Sequence, residues 1–215
     1  MFIATRILKT AICTISTSGH LYKTKALFHS LVGKTQAEFF CLVTDDQKIG
    51  IGEGIQLITT DALQSAVAKE ILSKYTGDRL RWACKPLMLL YLTEKGYDRV
   101  IYVDNDIYFY SSPDFMFDQL GTDSVILTPH WYPASPEHGQ HWLEANFRIG
   151  LYNAGFVGAS LKAKEALTWW AQCCAYNVKK AAWRGLFDDQ KYLDLMPVLF
   201  NGVNVLKHKG CNVAS

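Results

Sequence analysis

The sequence contains no C-x-x-C pair, no long apolar run, no block of like charge, no internal repeat and no linker-like tract. Each absence removes a class. The six cysteines, Cys13, Cys41, Cys84, Cys173, Cys174 and Cys211, lack metal-finger spacing and do not form a disulfide framework. Cys13 and Cys41 fall inside apparent strands, where a free thiol behaves as a small hydrophobe. Such usage predicts a reduced, intracellular chain. Residues 1–9 are interrupted by charge too often for a signal sequence, and Leu87 to Leu92 is far too short to span a bilayer. A cytoplasmic location follows as the expectation, with peripheral membrane contact left open. Formal net charge is +2, from 22 basic and 20 acidic residues, so no nucleic-acid partner is expected. With 215 residues, 49% hydrophobic and no linker, the chain reads as one domain over 1–215 with a full core.

Against that background strand and helix patterns alternate. Thr10 to Thr17 and Ala37 to Thr44 are short apolar runs suited to buried strands, with a helical pattern from Leu21 to Val32 between them. Ile55 to Thr59 is a third strand, followed by a helix that Asp61 could cap. Pro86 opens another helix, closed by Gly96. A strand over Val100 to Val103 follows. This is an α/β pattern with a largely parallel sheet, and ligands of such sheets gather at the carboxyl ends of the strands. Farther on, the sequence predicts a helix over Pro113 to Leu120, a strand over Ser124 to Thr128 and a loop from Trp131 to His141. A glycine-containing strand over Asn153 to Gly158 comes next, then helices over 162–176 and Asp188 to Met196, the latter stopped by Pro197. Val203 to Lys207 reads as a last strand, and the absence of a closing helix suggests a chain truncated at its C-terminus.

The most informative stretch is Val100 to Tyr110, in which Asp104 and Asp106 break a β-rich apolar segment. Carboxylates there are costly unless neutralised. In extended backbone i and i+2 share a face, so both could address one cation. Hard oxygen ligands suit Mn²⁺ or Mg²⁺, whose usual clients are phosphates. Lys85 at a helix start could meet a phosphate with help from helix amides. Asn153 offers a donor and an acceptor for sugar hydroxyls, and Gly155 and Gly158 permit close backbone approach. Asp188, Asp189 and Gln190 read either as a helix cap or as a polyol clamp. His130, His138 and His141 lie in or beside one loop without a cysteine pattern to make zinc the better reading. A substrate-facing aromatic loop with Trp131, Tyr132 and Trp142 fits better. His208, between two lysines, could approach a diphosphate.

Taken together and in order, CKP before a helix, GYDRVIYVDNDIYFY, ILTPH, YNAGFVGA, FDDQKYLDLMP and HKGCNVA resemble the nucleotide-sugar glycosyltransferases of the GT-A fold. The glycogenin-like and lipopolysaccharide hexosyltransferase group is the nearest in look. The resemblance covers nearly the whole chain. It implies metal and nucleotide contact by Asp104 and Asp106 with Asn105 between them. It implies nucleoside contact by Ser16, Thr17 and Asp45, and Lys85 near the donor. It implies Asn153 beside the sugar, and Asp189 with Gln190 near the anomeric carbon. The implied reaction is metal-dependent transfer of a hexose from a UDP-sugar to a glycan, lipid-linked or protein hydroxyl, with retention. The family usually adds a C-terminal histidine as third metal ligand; His208 could substitute, though its motif differs. Two alternatives stay open: a haloacid-dehalogenase-type phosphatase, and a non-catalytic relative that binds nucleotide or glycan.

Overall fold

The computed structural model describes residues 8–45 and 52–211. In chain order the elements are β1 (Thr10–Ser16), α1 (Leu21–Leu31), β2 (Glu38–Val43), β3 (Ile55–Thr59), α2 (Ala66–Lys74), α3 (Gly77–Ala83), α4 (Lys85–Glu94), β4 (Arg99–Val103), α5 (Asp114–Leu120), β5 (Val125–Pro129), α6 (Gln140–Arg148), β6 (Tyr152–Ser160), α7 (Lys164–Tyr176), α8 (Met196–Leu199) and β7 (Val203–Val205). Six strands run the same way. The seventh, β6, is antiparallel to both of its neighbours in the order β3-β2-β1-β4-β6-β5-β7.

The two-residue alternation of the strands builds a three-layer core. Ala11, Cys13 and Ile15 of β1, with Val100 and Tyr102 of β4, face a layer that includes α4 and α7. Ile12, Ile101 and Val103 face the opposite layer, which includes α1 and α5. Burial on both faces explains why these strands read as continuous apolar runs. Ser16 and Val103 both end strands at the same rim, and the register of β1 on β4 (Cys13 opposite Tyr102) holds them there.

Several local expectations change. The i, i+2 argument for Asp104 and Asp106 fails, because β4 ends at Val103 and Asn105–Asp106 form a turn, with Ile107 N donating to Asp104 O (3.2 Å). Beyond it the aromatic run is no strand. Phe109 is tied through its N–H to Ser30 Oγ and through its carbonyl to Lys34 Nζ. Asp61 sits in a single 3-10 turn, and Ser65 caps α2 by accepting from Ala68 N. The stretch 188–196 is not one helix. A turn at Asp188–Gln190 leads into a 3-10 segment, Lys191–Leu195, and Pro197 lies in the first turn of α8 instead of stopping a helix. The loop expected to reach His141 gives way to α6 at Gln140. β7 is shorter than expected, ending at Val205. All six cysteines are free thiols. Among the described residues no helix is long and apolar enough to cross a membrane.

Candidate active site

Three charged groups from distant parts of the chain meet at the carboxyl rim. Pro86 in the first turn of α4 fixes where that helix begins, so Lys85 enters the sheet layer from its start. Its ammonium is 3.3 Å from Asp104 Oδ1 at the end of β4 and 3.4 Å from Asp189 Oδ2 in the 188–190 turn. It also donates to the carbonyl of Ala154 on β6 (3.2 Å). Lys85 is only 5% exposed and Asp189 only 1%. The sequence pointed the lysine at a phosphate; the structure turns its ammonium inward, between two carboxylates. Burial by itself would lower the Lys85 pKa, but Asp104, Asp189 and Asp188 outweigh it and hold the group above the ordinary lysine value. Burial raises Asp189 to about 7; Lys85 opposes that rise, while Asp188 and Asp104 add to it. Asp188 is raised for the same first reason, countered by the Gln190 N–H, Lys85 and Lys180.

Tyr102, which sequence reading passed over, completes this cluster. Its hydroxyl donates to Asp104 Oδ1 (2.7 Å). A signal existed, since Tyr102 lies two residues before Asp104, close enough in sequence for its hydroxyl to reach that carboxylate. Asp104 Oδ2 lies toward β6. A Cβ placed on Gly155 would come within 2.8 Å of it and within 2.9 Å of Asn153 Oδ1, which accepts from Gly155 N (2.7 Å). Gly155 therefore keeps a cradle open between two polar side chains. Gly155→Ala should cost about 1–3 kcal/mol by forcing Asp104 or Asn153 aside. Gly158→Ala, whose new methyl would meet Ile126 at an ordinary 3.5 Å, should cost less than about 1 kcal/mol. Urea midpoints of the two variants compare them, and equal losses would contradict the cradle.

The β1–β2 side of the rim is joined to this centre by Asn105, whose amide donates to Ser16 Oγ (3.1 Å). Asp45 accepts from Ser18 N (3.0 Å to each oxygen) and Ser18 Oγ (2.6 Å), and Thr17 Oγ1 bonds His20 Nδ1 (2.8 Å). Ser16, Thr17 and Asp45 thus form a polar shelf at the ends of β1 and β2. On the other side Asp106 and His208 line one cavity of about 310 Å³. His208 Nδ1 accepts from Gly210 N (3.2 Å), so the neutral ring carries its proton on Nε2, a donor for a ligand oxygen. The last residues of the 208–214 motif lie outside the described residues.

Among the described residues no three His, Cys, Asp or Glu side chains already converge as a metal cluster, so the zinc option for His130, His138 and His141 has no support. The donor chemistry at the rim does fit a hard divalent cation. It offers Asp104 Oδ2 beside the Gly155 cradle and the exposed Asp106 carboxylate, which lines a cavity with His208.

Gln190 occupies the same rim, its amide donating to the carbonyl of Ile149 (3.3 Å). His130, 7% exposed, follows β5, and burial draws its ring below the ordinary histidine range. The Gln190 amide lies within reach and partly counters that, yet neither ring nitrogen completes a hydrogen bond. The His130 ring stacks on Tyr132 (4.8 Å), and Tyr132 stacks on Trp142 (5.3 Å). Among the described residues, Trp131 (φ 59°), next to His130, and Asp188 (φ 41°), next to Asp189, are the non-glycine residues in left-handed backbone. Strain of that kind persists only where surroundings impose it.

No protein-family model matches the chain. The Bacillus subtilis uncharacterized protein YfnF is 30% identical over 217 residues, spanning 94% of this chain and 70% of YfnF. Mouse xyloside xylosyltransferase 1 superposes with a TM-score of 0.58 at 13% identity, over 93% of this chain and 85% of that one. Galactosyltransferase LgtC, solved with donor and acceptor sugar analogues, gives 0.55 at 16% identity, over 91% and 72%. The fold is that of the GT-A glycosyltransferases, a mixed α/β sheet with most strands parallel.

Proposed function

We propose that this chain, which belongs to the family of Bacillus subtilis YfnF, acts as one domain that transfers a hexose from a UDP-sugar to a hydroxyl acceptor. Within the GT-A fold this reading places it with the glycogenin-like and lipopolysaccharide hexosyltransferase group, which its motifs resemble. The observation that carries the reading is the buried Lys85 bridge. It ties Asp104, whose other oxygen borders the Gly155 cradle, to Asp189 of a motif far along the chain.

In this reading Ser16, Thr17, Asp45 and Asn105 receive the nucleoside. Asp104 and Asp106 would hold Mn²⁺ or Mg²⁺ together with the diphosphate, and His208 would donate from Nε2 to a diphosphate oxygen. When bound, such a cation neutralises the diphosphate and stabilises UDP as a leaving group. Asn153, Asp189 and Gln190 orient the sugar, and Lys85 keeps Asp104 and Asp189 at a fixed separation. The acceptor oxygen bonds C1 as the bond from C1 to the diphosphate oxygen breaks. The electron pair leaves on that oxygen and the acceptor proton follows it. Retention of configuration is the expected outcome, with no covalent nucleophile assigned. The stack of His130, Tyr132 and Trp142, with Trp131 next to it in the chain, gives the acceptor sugar an aromatic face. Six free thiols suit a reducing, cytoplasmic setting.

A thermal-shift panel of nucleotides and nucleotide sugars, with and without manganese, tests the reading. UDP and a UDP-sugar should raise Tm only with metal, and by calorimetry Asp106→Ala should weaken manganese-dependent UDP binding by about 100-fold. Undiminished binding in that variant would refute the metal assignment. Turnover of p-nitrophenyl phosphate without nucleotide binding would favour a phosphatase.

A further inference from the structure

A second cavity, of about 660 Å³, opens beside the candidate active site, between the α2–α3 corner and the segment after α7. Lys74, Arg79, Lys179 and Lys180 line it against one carboxylate, Asp78. That carboxylate is already taken: Arg81 bonds it and holds it below the usual carboxylate range. Lys74 donates to the carbonyls of Ala175 and Tyr176, which leaves its charge uncompensated. Arg79 and Lys179 have no acidic partner among the described residues. Lys180 packs its ammonium over Trp82 (4.8 Å) and Phe187 (5.1 Å), 3.8 Å from Asp188 Oδ2. One wall of the cavity is therefore a single side chain away from the turn that carries Asp189.

A cleft lined by one sign of charge concentrates ligands of the other. The guanidinium fork of Arg79 matches the planar oxygens of a carboxylate or phosphate. The half-buried Trp82 ring supplies an apolar face, and the volume is in the range of small-ligand sites. We propose that this cavity holds the anionic group of an acidic acceptor saccharide, a uronate or a sugar phosphate, and presents its hydroxyl past Lys180 to the Asp188–Asp189 turn. This rests on the glycosyltransferase reading and narrows its acceptor to a charged sugar.

The test titrates the isotope-labelled chain with glucuronic acid, glucose 6-phosphate and glucose, following backbone amide resonances. Both charged sugars should shift residues 74–82 and 177–181 and bind at least about ten-fold more tightly than glucose. Comparing the two charged sugars tells carboxylate from phosphate. The double variant Arg79→Gln/Lys179→Gln should erase that preference while its UDP affinity stays unchanged. Equal affinity for glucose, shifts centred on Asp104 and His208 instead, or loss of UDP affinity in the double variant would each overturn the assignment. UDP binding by the unaltered chain reports on the donor reading separately. Lost charge selectivity in a chain that binds UDP defeats the cavity assignment alone.

Discussion

Lys85→Met should destabilise the fold by about 3–5 kcal/mol, the usual cost of removing one partner from a buried ion pair. The ammonium serves three acceptors, and Asp189 Oδ2 has no hydrogen bond that would remain without it. Asp104, whose side chain is 40% exposed, can turn to water, so most of the loss belongs to the Asp189 arm. Asp189 has one escape, which is to take up a proton. With the lysine gone its pKa should climb further from about 7, and in acid the variant should recover part of its deficit. Urea unfolding at pH 5 and pH 8 measures both. A variant as stable as the parent at pH 8 would show that the bridge contributes nothing.

If Asp189 orients the sugar as proposed, Asp189→Asn should lower transfer by about 10²–10³-fold while UDP binding stays within a few-fold. It should also flatten a pH dependence. Asp189 holds its proton up to about 7 in the folded chain, against an ordinary 3.8. Between those values the folded state binds more protons than the unfolded one. Its contribution to stability is therefore lost as pH rises from about 4 to 7. Asparagine cannot titrate, so the variant's denaturation midpoint should change less across that window. A slope identical to the parent's would assign the dependence elsewhere.

Much of the sheet was legible because its strands are buried on both faces and read as unbroken apolar runs, as at Ala11 to Ile15 and Val100 to Val103. The helix α6 was not, since it follows directly on a Pro- and Gly-bearing segment and its short amphipathic pattern buries little, Ala145 being its one buried residue. DDQKYLDLM carries a helical pattern, yet Asp188 adopts φ 41°, and that departure depends on the packing of the turn rather than on its composition. The residues of the centre were nameable from motifs, while their arrangement was not. Lys85 turns inward because β6 brings the Ala154 carbonyl and the 188–190 turn brings Asp189, both far away in sequence. The cation at the neighbouring cavity had no motif to announce it, because Arg79 and Lys179 come together only through the fold.

The reversed direction of β6 has an evolutionary corollary. β5 leaves the sheet at the carboxyl rim and β6 re-enters there, so residues 130–151 depart from and return to one edge. Nothing in the strand register constrains the length of that excursion. An excursion of that kind can be lengthened, shortened or replaced without re-registering a strand, so the segment that carries Tyr132 and Trp142 can change while the sheet beneath stays as it is.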